Sequence, residues 1–238
     1  VCADIGFIAQ TLKQDGIEGI KTMHVHVGIP IRPAAAERLP HAQAIIDKIG
    51  ACIAEPKVDG FRLQIHIDNT KSPHRIAFFS RNMQDMSHMF PDLTEVCSRL
   101  PVDSIICEGE AIAYDPHTQS YLPFQETVKR KRKHGISQAI EEYPLRVFIF
   151  DVLYLNGQEL LSEPYLVRRK KLSELLQKAD DETLLMIEDH PVDTVQELEE
   201  YFYANLAAGL EGVVVKRPYS QYTPGKRNFN WIKLKRQE

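Results

Sequence analysis

Glu55-Pro56-Lys57-Val58-Asp59-Gly60-Phe61-Arg62-Leu63-Gln64-Ile65-His66-Ile67 is the stretch on which the reading of this 238-residue chain turns. Its second half alternates apolar Phe61, Leu63, Ile65 and Ile67 with polar Arg62, Gln64 and His66, the period of a half-buried β-strand. Its first half sets Lys57 at the head of that strand, with Gly60 letting the backbone turn tightly behind it. Working outward, Arg75 to Ser80, Ser104 to Tyr114, Leu145 to Leu155, Leu184 to Glu188, Glu211 to Arg217 and Asn230 to Lys235 also read as strands. Helices are expected over Ala34 to Ile49, stopped by Gly50, and over Met83 to Leu100, Val167 to Ala179 and Thr194 to Gly209. Ahead of them, Asp4 to Leu12 resembles a helix broken by Gln14 to Gly19, and Gly28 to Pro33 is an extended linker. Strands outnumber helices and do not alternate strictly with them. That favours an α+β fold with antiparallel sheets over a doubly wound one.

Bulk properties bound the chemistry without naming it. The chain is 43% hydrophobic and 26% charged, ordinary for a globular protein. With 29 basic and 33 acidic residues its formal charge is −4, so any grip on nucleic acid comes from local patches or from parts outside this chain. Cys2, Cys52, Cys97 and Cys107 lack metal-site spacing and fit a reducing, intracellular setting. No segment has the length and apolarity of a membrane span, and no signal peptide is evident. The basic run Lys129 to His134 reads equally as a contact for DNA phosphates or as a solvated face. The histidines, including His24, His26, His66 and His134, lack metal spacing.

Further elements follow Lys57-Val58-Asp59-Gly60-Phe61-Arg62 in a fixed order. They are Ser80-Arg81, the strand glutamate Glu110, Phe150-Asp151, Glu211-Gly212-Val213-Val214-Val215-Lys216 and Lys233-Leu234-Lys235. This series resembles the covalent nucleotidyltransferase superfamily, and within it the adenylation domain of ATP-dependent DNA ligases. Pro123-Phe124-Gln125-Glu126 and Phe150-Asp151-Val152-Leu153-Tyr154-Leu155-Asn156-Gly157 add to the likeness to the DNA-ligase branch. The resemblance covers nearly the whole chain. It implies two antiparallel β-sheets flanked by helices, ATP-grasp-like, with a nucleotide groove between them. It also implies that residues 1–33 close a DNA-binding domain and its linker, that 34–238 form the adenylation domain, and that an OB-fold domain belongs to the full-length protein.

An amine attacks phosphorus only when unprotonated, while a free lysine has a pKa of about 10.4, so burial and neighbouring cations are needed to favour the neutral form. Lys57 is the expected nucleophile, taking AMP from ATP as a phosphoamide. The resemblance gives Glu55 the adenine amino group, Arg62 the ribose side and Phe150 a stacking face for the base. Arg81, Lys216 and, less directly, Arg227 are expected around the nucleotide. Lys233 and Lys235 alternate with Ile232 and Leu234, which puts both ammonium groups on one face of a strand. Mg²⁺ takes hard oxygen ligands, and Glu211 and Glu110 are the expected metal carboxylates. Glu108 shares a strand face with Glu110, so the choice between them rests on the motif. Asp59 is expected to shape the loop. The implied acceptor is nicked double-stranded DNA, sealed in replication, repair or recombination by a protein expected to act as a monomer. An RNA ligase or mRNA capping-type enzyme, or a non-catalytic nucleotide-binding scaffold, are the competing readings.

Overall fold

Two sheets face each other across the molecule, and a strap of irregular chain is threaded between them. The computed structural model describes residues 2, 4–132, 134–179 and 181–236. Its strands are β1 (Ala35–Arg38), β2 (Cys52–Pro56), β3 (Phe61–Asp68), β4 (Arg75–Ser80), β5 (Ser104–Asp115) and β6 (Ser120–Tyr121). They continue with β7 (Leu145–Leu155), β8 (Gln158–Glu159), β9 (Leu184–Met186), β10 (His190–Val192), β11 (Gly212–Lys216) and β12 (Arg227–Lys235). The helices are α1 (Ile5–Lys21), α2 (Ala42–Ile49), α3 (Pro91–Ser98), α4 (Phe124–Thr127), α5 (Ile136–Glu142), α6 (Tyr165–Ala179) and α7 (Val195–Ala207). One sheet runs β1-β12-β11-β2-β10; the other runs β4-β3-β5-β7-β8, with β6 added on β5 and β9 on β7. The α+β expectation holds, and pairing is antiparallel except at β1–β12 and β7–β9, which are parallel.

Strand parity separates core from cleft. In the first sheet Val213, Val215, Ile232 and Leu234 pack with Ile45 of α2 and with Leu198 and Phe202 of α7. In the second, Leu63, Ile65, Cys107, Val147 and Ile149 pack with Leu93 of α3 and Leu172 of α6. The remaining faces look toward each other and enclose a third cluster that includes Ile31, Ala34, Ile106, Leu153, Tyr222 and Trp231.

Three local expectations are revised. Residues 34–49 are not one helix: β1 pairs with β12, and α2 begins only after the N-cap His41, whose Nδ1 accepts the Ala44 N–H at 3.1 Å. Pro40 divides the two, because proline disfavours helix in the residue before it. Met83 to Leu100 reduces to one 3₁₀ turn, Ser87–Met89, and then α3, with Pro91 in its first turn where a missing N–H costs nothing. In α1 the break narrows to Gly16 at φ 67°, after which helix resumes to Lys21.

The stretch read as a linker packs against β3. Val25 and Ile31 are buried, and the Ile31 N–H and carbonyl are both held by the Gln64 side chain, at 2.7 and 3.0 Å. Gly28 donates its N–H to His66 Nδ1 at 2.9 Å. The polar face of β3 is therefore covered by residues 25–34 rather than by water, and Gln64 and His66 are 2% and 0% exposed. Among the described residues no helix is long and apolar enough to cross a membrane.

Candidate active site

The facing sheets leave a cleft of about 980 Å³. From the first sheet β12 contributes Trp231, Lys233 and Lys235, β11 contributes Val214 and Lys216, and β2 contributes Glu55 with Lys57 just beyond its end. These are alternate residues of paired strands: Val214 lies opposite both Lys233 and Glu55, and Lys216 opposite Trp231. Arg62 of β3, Glu110 of β5, Phe150 of β7 and Arg81 after β4 line the other side. Arg227 and Glu211 are not in the lining itself.

At one end sits Lys57. Its backbone N–H donates to the Gly212 carbonyl at 2.9 Å, which ties the residue to the start of β11. Its ammonium forms an ion pair with Glu211, whose same oxygen also pairs with Lys235 at 2.8 Å. Burial works against ionisation of Glu211, but the Lys235 and Lys57 ammonium groups bring its pKa below the usual value. Asp59 joins this cluster: burial and then the Glu211 carboxylate push its pKa up. Asp59 was expected only to shape the loop. Gly60 is required for a different reason from the one expected. A Cβ there would lie 2.1 Å from the Ala111 carbonyl oxygen, so it is close approach to β5 that forbids a side chain.

Cations converge on the same end. The Lys233 ammonium is depressed from its ordinary pKa by burial and then by Lys235, Arg227, Arg81 and Lys57. Arg227 is thus electrically part of the site although it lies outside the lining. A polyanion such as a triphosphate relieves this mutual repulsion. Glu110 is the nearby carboxyl in the wrong medium: burial raises its pKa to about 7, against the opposing pull of Lys57 and Arg62.

The other end is aromatic. A bulge in the β5–β7 register leaves Phe150 as an extra residue between Asp151, opposite Glu108, and Ile149, opposite Gly109. Bulges re-aim side chains beside sites, and here the Phe150 ring meets Trp231 edge-on at 5.9 Å. Lys216 was expected around the nucleotide, facing its phosphates. Its ammonium, 1% exposed, instead lies 4.6 to 5.0 Å from the ring centres of Trp231, Tyr165 and Phe150 and pairs with Glu55 at 2.8 Å. Glu55 is also held by Tyr165 and by Arg169 at 3.2 Å. Arg62 spans the floor, donating to Glu108 and to the Ala34 carbonyl, each at 2.7 Å. Its cation lies 5.2 and 5.5 Å from the Phe150 and Trp231 rings. Geometry separates the two strand glutamates. Glu108 is fully buried and consumed by Arg62, Gln64 and Tyr222, whereas Glu110 faces the cleft.

A family model described as "ATP dependent DNA ligase domain" matches residues 33–235. The chain belongs to the ATP-dependent DNA ligase family. It is 45% identical over 237 residues to a "Probable DNA ligase" of Dictyoglomus turgidum, covering 99% of this chain and 40% of that protein. To a "DNA ligase" of Sulfolobus acidocaldarius it is 41% identical, covering 98% of this chain and 39% of that protein. The chain thus spans about 40% of the length of the curated relatives it matches. Among solved structures it is similar to a mycobacterial DNA ligase D complexed with ATP and MES, at 26% identity and a TM-score of 0.64, covering 86% of this chain and 60% of that one. A Chlorella virus DNA ligase-adenylate shares the fold at 18% identity and a TM-score of 0.61, covering 86% of this chain and 68% of that one.

The carboxylates near Lys57 that could hold a metal are Glu110 and Glu211, both hard oxygen donors. Among the described residues no cluster of three or more metal-binding side chains occurs. Mg²⁺ is commonly held by one or two carboxylates together with substrate phosphates; Glu110 lines the cleft and Glu211 pairs with Lys57. Sequence reasoning missed Trp231, Tyr165, Arg169 and the buried Arg168–Asp151 pair. Trp231 was within reach, since it continues the Lys235, Lys233 parity. Tyr165 and Arg169 were not, because their contacts with Glu55 span 110 and 114 positions.

Proposed function

We propose that this chain is the adenylation module of an ATP-dependent DNA ligase, and that Lys57 carries the nucleotide. Neutral Lys57 Nζ attacks the α-phosphorus of ATP. The N–P bond forms as the bond to the bridging oxygen breaks, and pyrophosphate departs with its electron pair. The proton that Lys57 loses passes to water or a neighbouring carboxylate. AMP then passes to the 5′-phosphate of nicked DNA, and the 3′-hydroxyl displaces it as the nick closes. The observation that supports this reading is the gradient along the cleft. A lysine paired with Glu211 stands among Lys233, Lys235, Arg81 and Arg227 at one end, and Phe150, Trp231 and the Glu55–Lys216 pair stand at the other. A nucleoside triphosphate has the same polarity.

The base is read against the Phe150 ring, with Glu55 accepting from its amino group and Arg62 beside the ribose. Before Lys57 can attack, its ion pair with Glu211 must open and its proton must leave. Arg81, Lys233 and Lys235 neutralise and align the phosphates, which supplies most of the catalysis in phosphoryl-type transfers. Glu110 and Glu211 would hold Mg²⁺, which supplies further charge neutralisation when bound. Intact-mass spectrometry after incubation with ATP and Mg²⁺ tests the proposal. Covalently bound AMP mapping to the Glu55–Arg62 segment is expected, and an adduct on any other residue refutes it.

A further inference from the structure

Two residues outside the cleft control the carboxylate at its aromatic end. Tyr165 and Arg169 stand one turn apart on α6, 0% and 8% exposed, and neither lines the cleft. Both act on one oxygen of Glu55: the Tyr165 hydroxyl donates to Oε1, and Arg169 Nη1 donates to the same atom at 3.2 Å. Oε2 carries the Lys216 ammonium at 2.8 Å. Arg169 is itself fixed by the Ile187 carbonyl at 2.5 Å and by Asp189 at 2.8 Å. A carboxylate offers roughly four acceptor sites. Tyr165 and Arg169 fill Oε1, and Lys216 takes one of the two on Oε2, leaving one free acceptor beside Phe150 and Trp231.

We propose that Tyr165 and Arg169 are positioning residues for nucleobase choice. They pin Oε1 so that the remaining lone pair of Oε2 points at an exocyclic amino group, the donor an adenine presents. The inference rests on the reading of the cleft as an ATP site. Guanine carries a carbonyl oxygen where adenine carries that amine, so the pinned carboxylate meets acceptor with acceptor. A site built to bond a particular donor rejects the analogue lacking it far more strongly than a pocket selecting on shape alone. Without the two α6 donors the carboxylate is free to turn both oxygens toward Lys216. The acceptor is then withdrawn and the discrimination lost.

Equilibrium binding of ATP and of GTP, measured by calorimetry on the whole chain and on Tyr165→Phe and Arg169→Lys variants, tests this. The parent is expected to favour ATP. Tyr165→Phe should weaken ATP on the order of tenfold, the scale of one charge-assisted hydrogen bond, while GTP changes ~2-fold or less, so that the ratio of the two collapses. Arg169→Lys keeps the charge but loses the fork, and should fall between parent and Tyr165→Phe. It also serves if the tyrosine variant does not fold. A purely structural role would lower the melting temperature and shift both nucleotides by one factor; that result overturns the inference and leaves the ATP reading intact. A parent that binds both nucleotides equally also overturns it. A parent that binds neither overturns the ATP reading and the inference together.

Discussion

A lysine nucleophile leaves a chemical signature that no neighbouring cation can imitate. The AMP adduct on Lys57 should be acid-labile, as a phosphoamide is, and Lys57→Ala should abolish it; adduct formation at the parental rate would remove the assignment. Arginine is no substitute, because it stays protonated. Glu211→Ala should slow adenylation on the order of 10²-fold in single-turnover assays, with ATP affinity changing ~3-fold or less, since its carboxylate is placed to matter as charge moves to pyrophosphate. Equal rates at saturating Mg²⁺ would make it structural. Glu110 gives a pH test. Burial raises its pKa to about 7 in the folded chain, so the folded state holds a proton that the unfolded chain releases near pH 4.5. Its contribution to stability is therefore present at acid pH and lost as pH rises through about 7. Relative to the parent, ligand-free Glu110→Gln should gain about 3 kcal/mol between pH 4.5 and 8, each tenfold change in proton affinity being worth about 1.4 kcal/mol. Urea titrations at the two pH values check it. That such residues gather around one cleft was legible because motif order carries it. Their environments were not: Lys216 reads as one more cation in the sequence, and only its pairing with Glu55 moves it to the aromatic end.

At the scale of elements, β12 shows what periodicity transmits. Ile232 and Leu234 are buried behind the sheet while Lys233 and Lys235 face the cleft, as alternation alone implied. Ile232→Ala should therefore cost about 2–4 kcal/mol in chemical denaturation with little change in nucleotide affinity. Lys233→Ala should do the reverse, changing stability by roughly 0.5 kcal/mol or less while weakening ATP binding. Similar stability losses in both would mean the parity is wrong. Elements were misread where a local signal was outvoted. Residues 34–38 are alanine-rich and suit a helix, but the open edge of β12 recruits them as a parallel strand. The basic run from Lys129 has no periodicity at all and divides by contact. Arg130 is buried against Asp92 and the Met89 carbonyl, Lys129 pairs with Glu126, and Lys131 lines the cleft. Lys133 lies outside the described residues, and the choice between DNA contact and solvated face was posed for the run as a whole.

For the whole molecule, the net charge of −4 and the 40% share of the relatives' length lead to one expectation. The isolated chain should bind ATP yet seal a nicked duplex poorly at near-physiological salt. Few phosphate contacts mean weak, salt-sensitive DNA binding, and in-line positioning of phosphate and hydroxyl is worth several kcal/mol. Sealing comparable to that of a chain extended to the relatives' full length would refute this. The α+β class was readable from strand count and order, and the two facing sheets only from the resemblance of the motif series. What joins the sheets was not, because residues 25–34 have no regular pattern and their burial depends on β3.

That strap has a consequence for hydrogen exchange. Irregular chain outside any helix or ladder ordinarily gives up its amide protons early. The Gly28 and Ile31 amides are instead donated to His66 and Gln64, two buried side chains of the second sheet. Burial drops the His66 pKa to about 3, so its ring remains a neutral acceptor throughout the range in which exchange is measured. These two protons should therefore leave only when β3 itself opens. Their deuterium uptake should keep pace with that of Leu63 and Ile65 rather than with that of α1, which has no buried residue. The cooperative unit of unfolding would then begin some residues before position 33, where the family match begins.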